Sequence, residues 1–189
     1  MNTTALLCIA ALAIPAAAQA YEKAFAPTKP GALEVKIIPE RTLIVAQQEG
    51  RYFDENNRLF RDLFRYIKDN DVSMTVPVKA DIDPGKMYFY IGDGDLEKEL
   101  KDTDAVKVVM VPETKVMSMG VRGSYSEKNF RQARDKLAGH LEASEEWKQS
   151  GDAYAIYWNG PFVPGFMKRF EVHVPIEPVP KKKKKEKSE

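Results

Sequence analysis

The stretch GRYFDENNRLFRD, Gly50 to Asp62, returns 73 residues later as GSYSEKNFRQARD, Gly123 to Asp135. Laid over each other without a gap, the two share Gly, Tyr, Asn, two Arg and Asp, and upstream Pro39-Glu40 meets Pro112-Glu113. A chain that repeats a segment of this length builds one supersecondary unit twice, and neither copy buries its apolar face alone. At 189 residues, 43% of them hydrophobic, the chain suffices for one sizeable core, or two small units sharing one, and a multidomain enzyme is not expected.

Each copy opens with a β-branched, apolar run interrupted by proline: EVKIIPERTLIVAQ from Glu34 and KVVMVPETKVMSM from Lys107. These predict strands or bent strand pairs. Gly50 and Gly123 then punctuate, and a helix follows, with Asp54 and Ser126 as expected N-caps. Further strands are expected over 73–79 and 86–91 in the first copy, and over 154–158 and 168–175 in the second. The unit is strand, helix, strand, strand. Two such units packed face to face give an α+β domain with a strongly curved antiparallel sheet and two helices.

The first twenty residues, MNTTALLCIAALAIPAAAQA, carry no charge, an apolar run from Ala5 to Ile14 and the small-x-small triplet Ala18-Gln19-Ala20. They read as a secretory signal peptide cut before Tyr21, placing the mature chain in the periplasm or outside the cell. The run is too short to span a bilayer comfortably, so no stable membrane insertion is expected after cleavage. The only cysteine, Cys8, leaves with it, which removes disulfides and thiolate chemistry. Residues 21–32 read as an N-terminal extension, 33–180 as the domain with repeats at about 33–104 and 105–180, and 181–189 as a disordered lysine-rich tail. That tail, KKKKKEKSE, carries six Lys and two Glu; against a formal net charge of +1 the rest of the chain stands at −3. A mildly acidic body is no nucleic-acid binder by charge.

On the first helix, Leu59, Phe60, Leu63, Phe64, Tyr66 and Ile67 span an arc of roughly 160°, wider than the roughly 100° that one core contact needs. One edge of the arc is left to line a pocket. Arg58, Arg61, Arg65 and Lys68 cluster opposite. The segment FRDLFRYIKDNDVSMTVPV, Phe60 to Val78, resembles the middle of the SOUL haem-binding protein family, and NGPFVPGFMKRFEVHVPI, Asn159 to Ile176, resembles its closing segment. The resemblance extends over about residues 33 to 176. It implies a distorted antiparallel β-barrel of two βαββ repeats with two helices. It also implies haem or another tetrapyrrole, loosely bound in a shallow apolar groove with basic groups near the propionates. Carried over by position, Arg65 and, approximately, Arg58 are the basic groups, and Phe162 and Phe166 lie in the matching loop. Leu59 and Tyr66 are the expected helix contacts. A monomer acting as an exported carrier or scavenger is the leading expectation. A small hydrolase on the same fold, or a module for a ligand other than a tetrapyrrole, is the alternative.

No catalytic motif stands out: there is no G-x-S-x-G, no H-E-x-x-H and no phosphate-binding glycine loop. ADIDPG, from Ala80, and GDGD, from Gly92, read as turns. His140 reads as a flank residue of the second helix. Strand alternation puts Glu171 and His173 on one face of the last strand, His173 as a structural residue or an iron ligand. Some relatives with this fold place a pocket carboxylate there, which makes Glu171 the acid-base of the hydrolase alternative; the plainer reading pairs it with Lys168 or Arg169. Met74, Met117 and Met119 read as core.

Overall fold

The computed structural model describes residues 21–180. The segments read from sequence as a signal peptide, 1–20, and a lysine-rich tail, 181–189, lie outside the described residues. In chain order the elements are β1 (Glu22–Lys23), β2 (Leu33–Ile38), β3 (Arg41–Gln47), α1 (Asn57–Asp69), β4 (Thr75–Val76), β5 (Val78–Asp81), β6 (Lys86–Tyr90), β7 (Lys107–Val111), β8 (Thr114–Arg122), α2 (Glu127–Glu142), β9 (Trp147–Gln149), β10 (Tyr154–Tyr157) and β11 (Arg169–Pro178).

The two Pro-Glu pairs split what the sequence reads as one bent run. Proline withholds the N–H that a continuous ladder needs, so β2 ends before Pro39 and β7 before Pro112. The halves then part company. β3 stays in its own repeat against β6, while β2 crosses to pair with β8; reciprocally, β7 crosses to β3. The resulting antiparallel sheet runs β2-β8-β11-β10-β5-β6-β3-β7. This order is a palindrome of the two repeats, so a pseudo-twofold axis passes between β5 and β10. The expected α+β architecture of two βαββ repeats, a curled half-barrel with two helices, is what the chain adopts.

Both helices cover one face. Leu59, Leu63, Tyr66 and Ile67 of α1, with Phe130, Ala133, Leu137 and Leu141 of α2, join Ile44, Phe89, Met117 and Val172 in the main core. Met74 and Met119 pack against it, as expected. The core stripe of α2 is displaced one position from the sequence match: Leu59, Leu63 and Ile67 correspond to Ala133, Leu137 and Leu141. The start of the helix explains the slip. Ser126 Oγ caps α2 by accepting from the N–H of Asn129 at 3.3 Å, whereas Asp54 does not cap α1; its Oδ2 accepts from the N–H of Arg51 at 3.1 Å, within a turn. α1 begins only after Asn56, which makes no side-chain cap. Gly50 and Gly123, with φ of +87° and +140°, hold the left-handed backbone before each helix that other residues resist.

The opposite, helix-free face is lined by Leu43, Tyr88, Tyr90, Val116, Tyr154 and Ile156. Residues 21–32, read from sequence as an extension, belong to the folded body. β1 pairs in parallel with β4, and Phe25 packs into both apolar clusters of this face.

Candidate functional site

α1 presents two unlike flanks to its surroundings. The flank at Leu59 and Tyr66 is closed: the two are 1% and 5% exposed, and Tyr66 donates its hydroxyl to the carbonyl of Lys101 at 2.8 Å. Leu100 and Val106, from the link between the repeats, pack alongside. The other flank is open. Phe60 and Phe64, one turn apart, stack at 5.7 Å between centroids and 12° between planes, and Phe64 remains 41% exposed. With Arg61, Arg65, Lys68 and Asp69 they line a shallow groove of about 390 Å³. Lys68 Nζ stands 5.7 Å above the Phe64 ring. The groove is an apolar plate with three cations and one carboxylate at its rim.

The expected site residues divide accordingly. Arg65 lines the groove. Leu59 and Tyr66 do not, because the link from Ile91 to Lys107 covers their side of the helix; Phe60 and Phe64 take their place. Arg58 lies outside, 71% exposed and ion-paired with Asp62 at 3.6 Å. Phe162 and Phe166 stand in solvent at 98% and 75% exposure and are not among the groove-lining side chains. Their loop is moored elsewhere: Tyr125 donates its hydroxyl to the carbonyl of Arg169 at 3.0 Å and accepts from the N–H of Asn159 at 2.8 Å.

The helix-free face holds a second constellation. Glu171 and His173 share a side of β11 as strand alternation requires, and both are fully buried. Glu171 pairs with neither Lys168 nor Arg169. Its Oε1 accepts from the backbone N–H of Thr28 at 2.8 Å and from Trp158 Nε1 at 2.6 Å. Its Oε2 accepts from Ser118 Oγ at 2.9 Å, Lys36 Nζ at 2.6 Å and His173 Nε2 at 2.6 Å. Burial alone would raise the carboxyl pKa; the hydrogen bonds from His173 and Lys36 and the Lys36 charge outweigh it and hold the pKa at about 2. Burial lowers the pKa of His173, so its ring is neutral, donating from Nε2 to Glu171 and accepting at Nδ1 from the Tyr154 hydroxyl at 3.2 Å. Neither ring nitrogen is left for a metal. His140 is exposed on α2, as expected of a flank residue.

Residues 24–30 run across this network like a strap. Phe25 sits edge-on to Tyr90 and Trp158, with centroids at 5.8 and 5.4 Å, while Lys36 Nζ lies 5.3 Å from its centre. The strap crosses β8 at Gly120, where a Cβ would come within 2.7 Å of the Thr28 carbonyl oxygen and closer still to that of Lys29. The sequence signal for this site was the Glu-x-His alternation; its partners Thr28, Lys36, Ser118 and Trp158 had none.

The family model for SOUL heme-binding protein matches residues 19–175. The chain belongs to the SOUL haem-binding protein family. No curated protein matches it significantly. Among solved structures, this SOUL chain is similar to EcmrR in its complex with DNA, at 13% identity and a TM-score of 0.65 over 78% of this chain and 58% of that one. It is similar also to the EcmrR C-terminal domain, at 15% identity and a TM-score of 0.62 over 78% and 98% of the two chains. A hydrolase from Listeria innocua follows at 16% and 0.54, over 79% and 94%. At such identities the likeness shows the fold alone. Among the described residues no helix is long and apolar enough to cross a membrane, and no cluster of three or more His, Cys, Asp or Glu side chains is placed to hold a metal.

Proposed function

We propose that this SOUL-family chain is an exported carrier or scavenger that holds haem, or another tetrapyrrole, loosely on the open flank of α1. The observation that carries the reading is the stacked pair of half-buried Phe60 and exposed Phe64 lying between Arg61, Arg65 and Lys68. The residues fit the group. A flat macrocycle needs an apolar plate, its propionates need cations at the edge of that plate, and the groove offers both. Burying about 300 Å² of apolar surface gains about 7.5 kcal/mol at about 25 cal/mol per Å², before association costs, which suits weak, exchangeable binding. Each exposed cation adds about 0.5–1 kcal/mol. Phe162 and Phe166 are proposed as a second apolar contact from their loop. Export rests on the pattern of residues 1–20.

Titration of the chain beginning at Tyr21 with haemin, and in parallel with iron-free protoporphyrin, tests the reading. Saturable binding of both, weakened at least tenfold by Phe64→Ala, is expected; indifference to Phe64→Ala would overturn it. Intact-mass measurement of the native protein tests export, since a soluble form retaining residues 1–20 would exclude it. The hydrolase alternative has less support. All donors around Glu171 are already spent on it, it is ionised far below neutral pH, and Thr28 and Trp158 cover it, so it has neither a proton to give nor an open side to take one.

A further inference from the structure

The two ends of the sheet, β2 and β7, are counterparts in the duplication, yet they are finished differently. The offset between the repeats lays Leu33 on Val106, Val35 on Val108 and Ile37 on Met110. Around β7 this row is largely sealed: Val106 lies in the main core at 1% exposure, and Val108 packs against that core, as does Leu100 of the link. Along β2 the row is bare, with Leu33, Val35 and Ile37 exposed at 37%, 41% and 53%. Leu33 and Val35 stand opposite Met119 and Met117, which belong to the main core side, so the bare row lies on the helix side of the sheet. The cause is the course of the chain before each strand. The link that precedes β7 runs over α1, whereas the strap that precedes β2 runs over the helix-free face and leaves the helix side of β2 without a cover.

The backbone of β2 is open as well. Gly120 donates its N–H to the carbonyl of Ala32 at 3.0 Å, which sets the phase of the ladder. Ala32, Glu34 and Lys36 turn their backbone groups toward β8; Leu33, Val35 and Ile37 turn theirs away from it. Among the described residues no strand pairs with that outer side. Charged side chains commonly guard such an edge. Here Lys36 is drawn inward by Glu171 at 2.6 Å, and the residues that offer free backbone groups are the three apolar ones.

The strand that fits this edge is β2 itself, antiparallel. The ladder phase permits a two-fold axis at Glu34, at Val35 or at Lys36. The first sets Glu34 against Glu34 and the third sets Lys36 against Lys36, and like charges directly opposite each other are unfavourable. The axis at Val35 sets Glu34, whose side chain is 46% exposed, opposite Lys36 of the second copy, Leu33 opposite Ile37, and Val35 opposite itself. Both the apolar row and the charges are complementary in that register alone.

We propose that the outer edge of β2 is a docking surface for a second copy of this chain, paired antiparallel about Val35 so that the two sheets become one. The protein is then a two-fold dimer in place of the monomer expected from its sequence, with the bare rows of the two copies side by side. The pairing does not depend on tetrapyrrole binding at α1.

Light scattering and sedimentation of the chain beginning at Tyr21 test it. Twice the mass of one chain is expected at high micromolar concentration, falling to one chain on dilution, and Val35→Lys should raise the dissociation constant at least tenfold. A cysteine reports the register, because the chain from Tyr21 has none of its own. Facing Cα atoms in a hydrogen-bonded antiparallel pair lie about 5.5 Å apart, within disulfide reach, so Val35→Cys should oxidise to a linked dimer. Met110→Cys, on the opposite edge at 62% exposure, should stay single. Should Val35→Lys disturb the fold, the comparison of the two cysteine variants still decides. One-chain mass at every concentration, a dimer indifferent to a folded Val35→Lys variant, or equal linking of Val35→Cys and Met110→Cys would each overturn the proposal.

Discussion

His173 Nε2 lies 2.6 Å from Glu171 Oε2, and the two side chains, on one side of β11, are both wholly buried. A neutral imidazole thus donates its Nε2–H to an ionised carboxylate inside the protein, with Lys36 supplying the balancing charge.

This pair makes the fold sensitive to acid in two stages. The pKa of His173 is lowered by burial, so the unfolded chain takes up a proton near pH 6.5 that the native state refuses; its contribution is complete above that pH and declines as the pH falls. Glu171, lowered to about 2, contributes fully above pH 4.5 and loses about 3 kcal/mol between there and pH 2. Urea melts at pH 7.5, 5.5 and 3 should show stability falling at each step, and Glu171→Gln should flatten the lower one.

His173→Ala should cost about 2 kcal/mol or more, because it leaves a void and strips a donor from a buried carboxylate. The absorbance spectrum of added haemin should nevertheless match that of the unaltered protein. A lost axial-ligand band in the variant would show that the ring turns out of its network to bind iron.

Gly120→Ala forces a methyl against the Thr28 and Lys29 carbonyls and should destabilise the protein by about 1–3 kcal/mol. The strap is what must yield. Faster proteolysis between Ala24 and Pro30, with altered Trp158 fluorescence, is the expected signature; cleavage rates unchanged from the parent would mean that the strap is not held there.

Arg65→Glu should weaken porphyrin binding at low salt and by progressively less as salt screens the rim. Phe162→Ala removes a side chain that is 98% exposed, so its effect on stability should be negligible and any loss of affinity a direct one. The variant is expected to weaken binding more than His173→Ala does, a comparison made by parallel absorbance titrations.

The repeat made the architecture readable, because two copies of a strand-helix-strand-strand pattern leave few ways to share a core. The width of the apolar arc on α1 also announced an uncovered flank. Which flank was beyond the sequence. Tyr66 and Phe64 sit at opposite ends of that arc, and the choice between them depends on where the link from Ile91 to Lys107 lies, a tertiary fact that no local periodicity contains. Likewise, alternation paired Glu171 with His173, but the strap that completes their surroundings comes from Thr28, far away along the chain. Asp54 failed as a cap for a local reason: its carboxylate is already taken by the turn at Arg51.

The exchange of β2 and β7 sets an order of events during synthesis. β2 has no partner until β8 exists, since Leu33 pairs with Met119 and Ile38 with Thr114. A nascent chain released as far as the end of β6 therefore holds an orphan edge and half an interior, and its most distant contacts wait longest to form. A polypeptide built in this way stays pliable until nearly all of it has been made, which is the condition in which a chain is most readily threaded through a narrow channel.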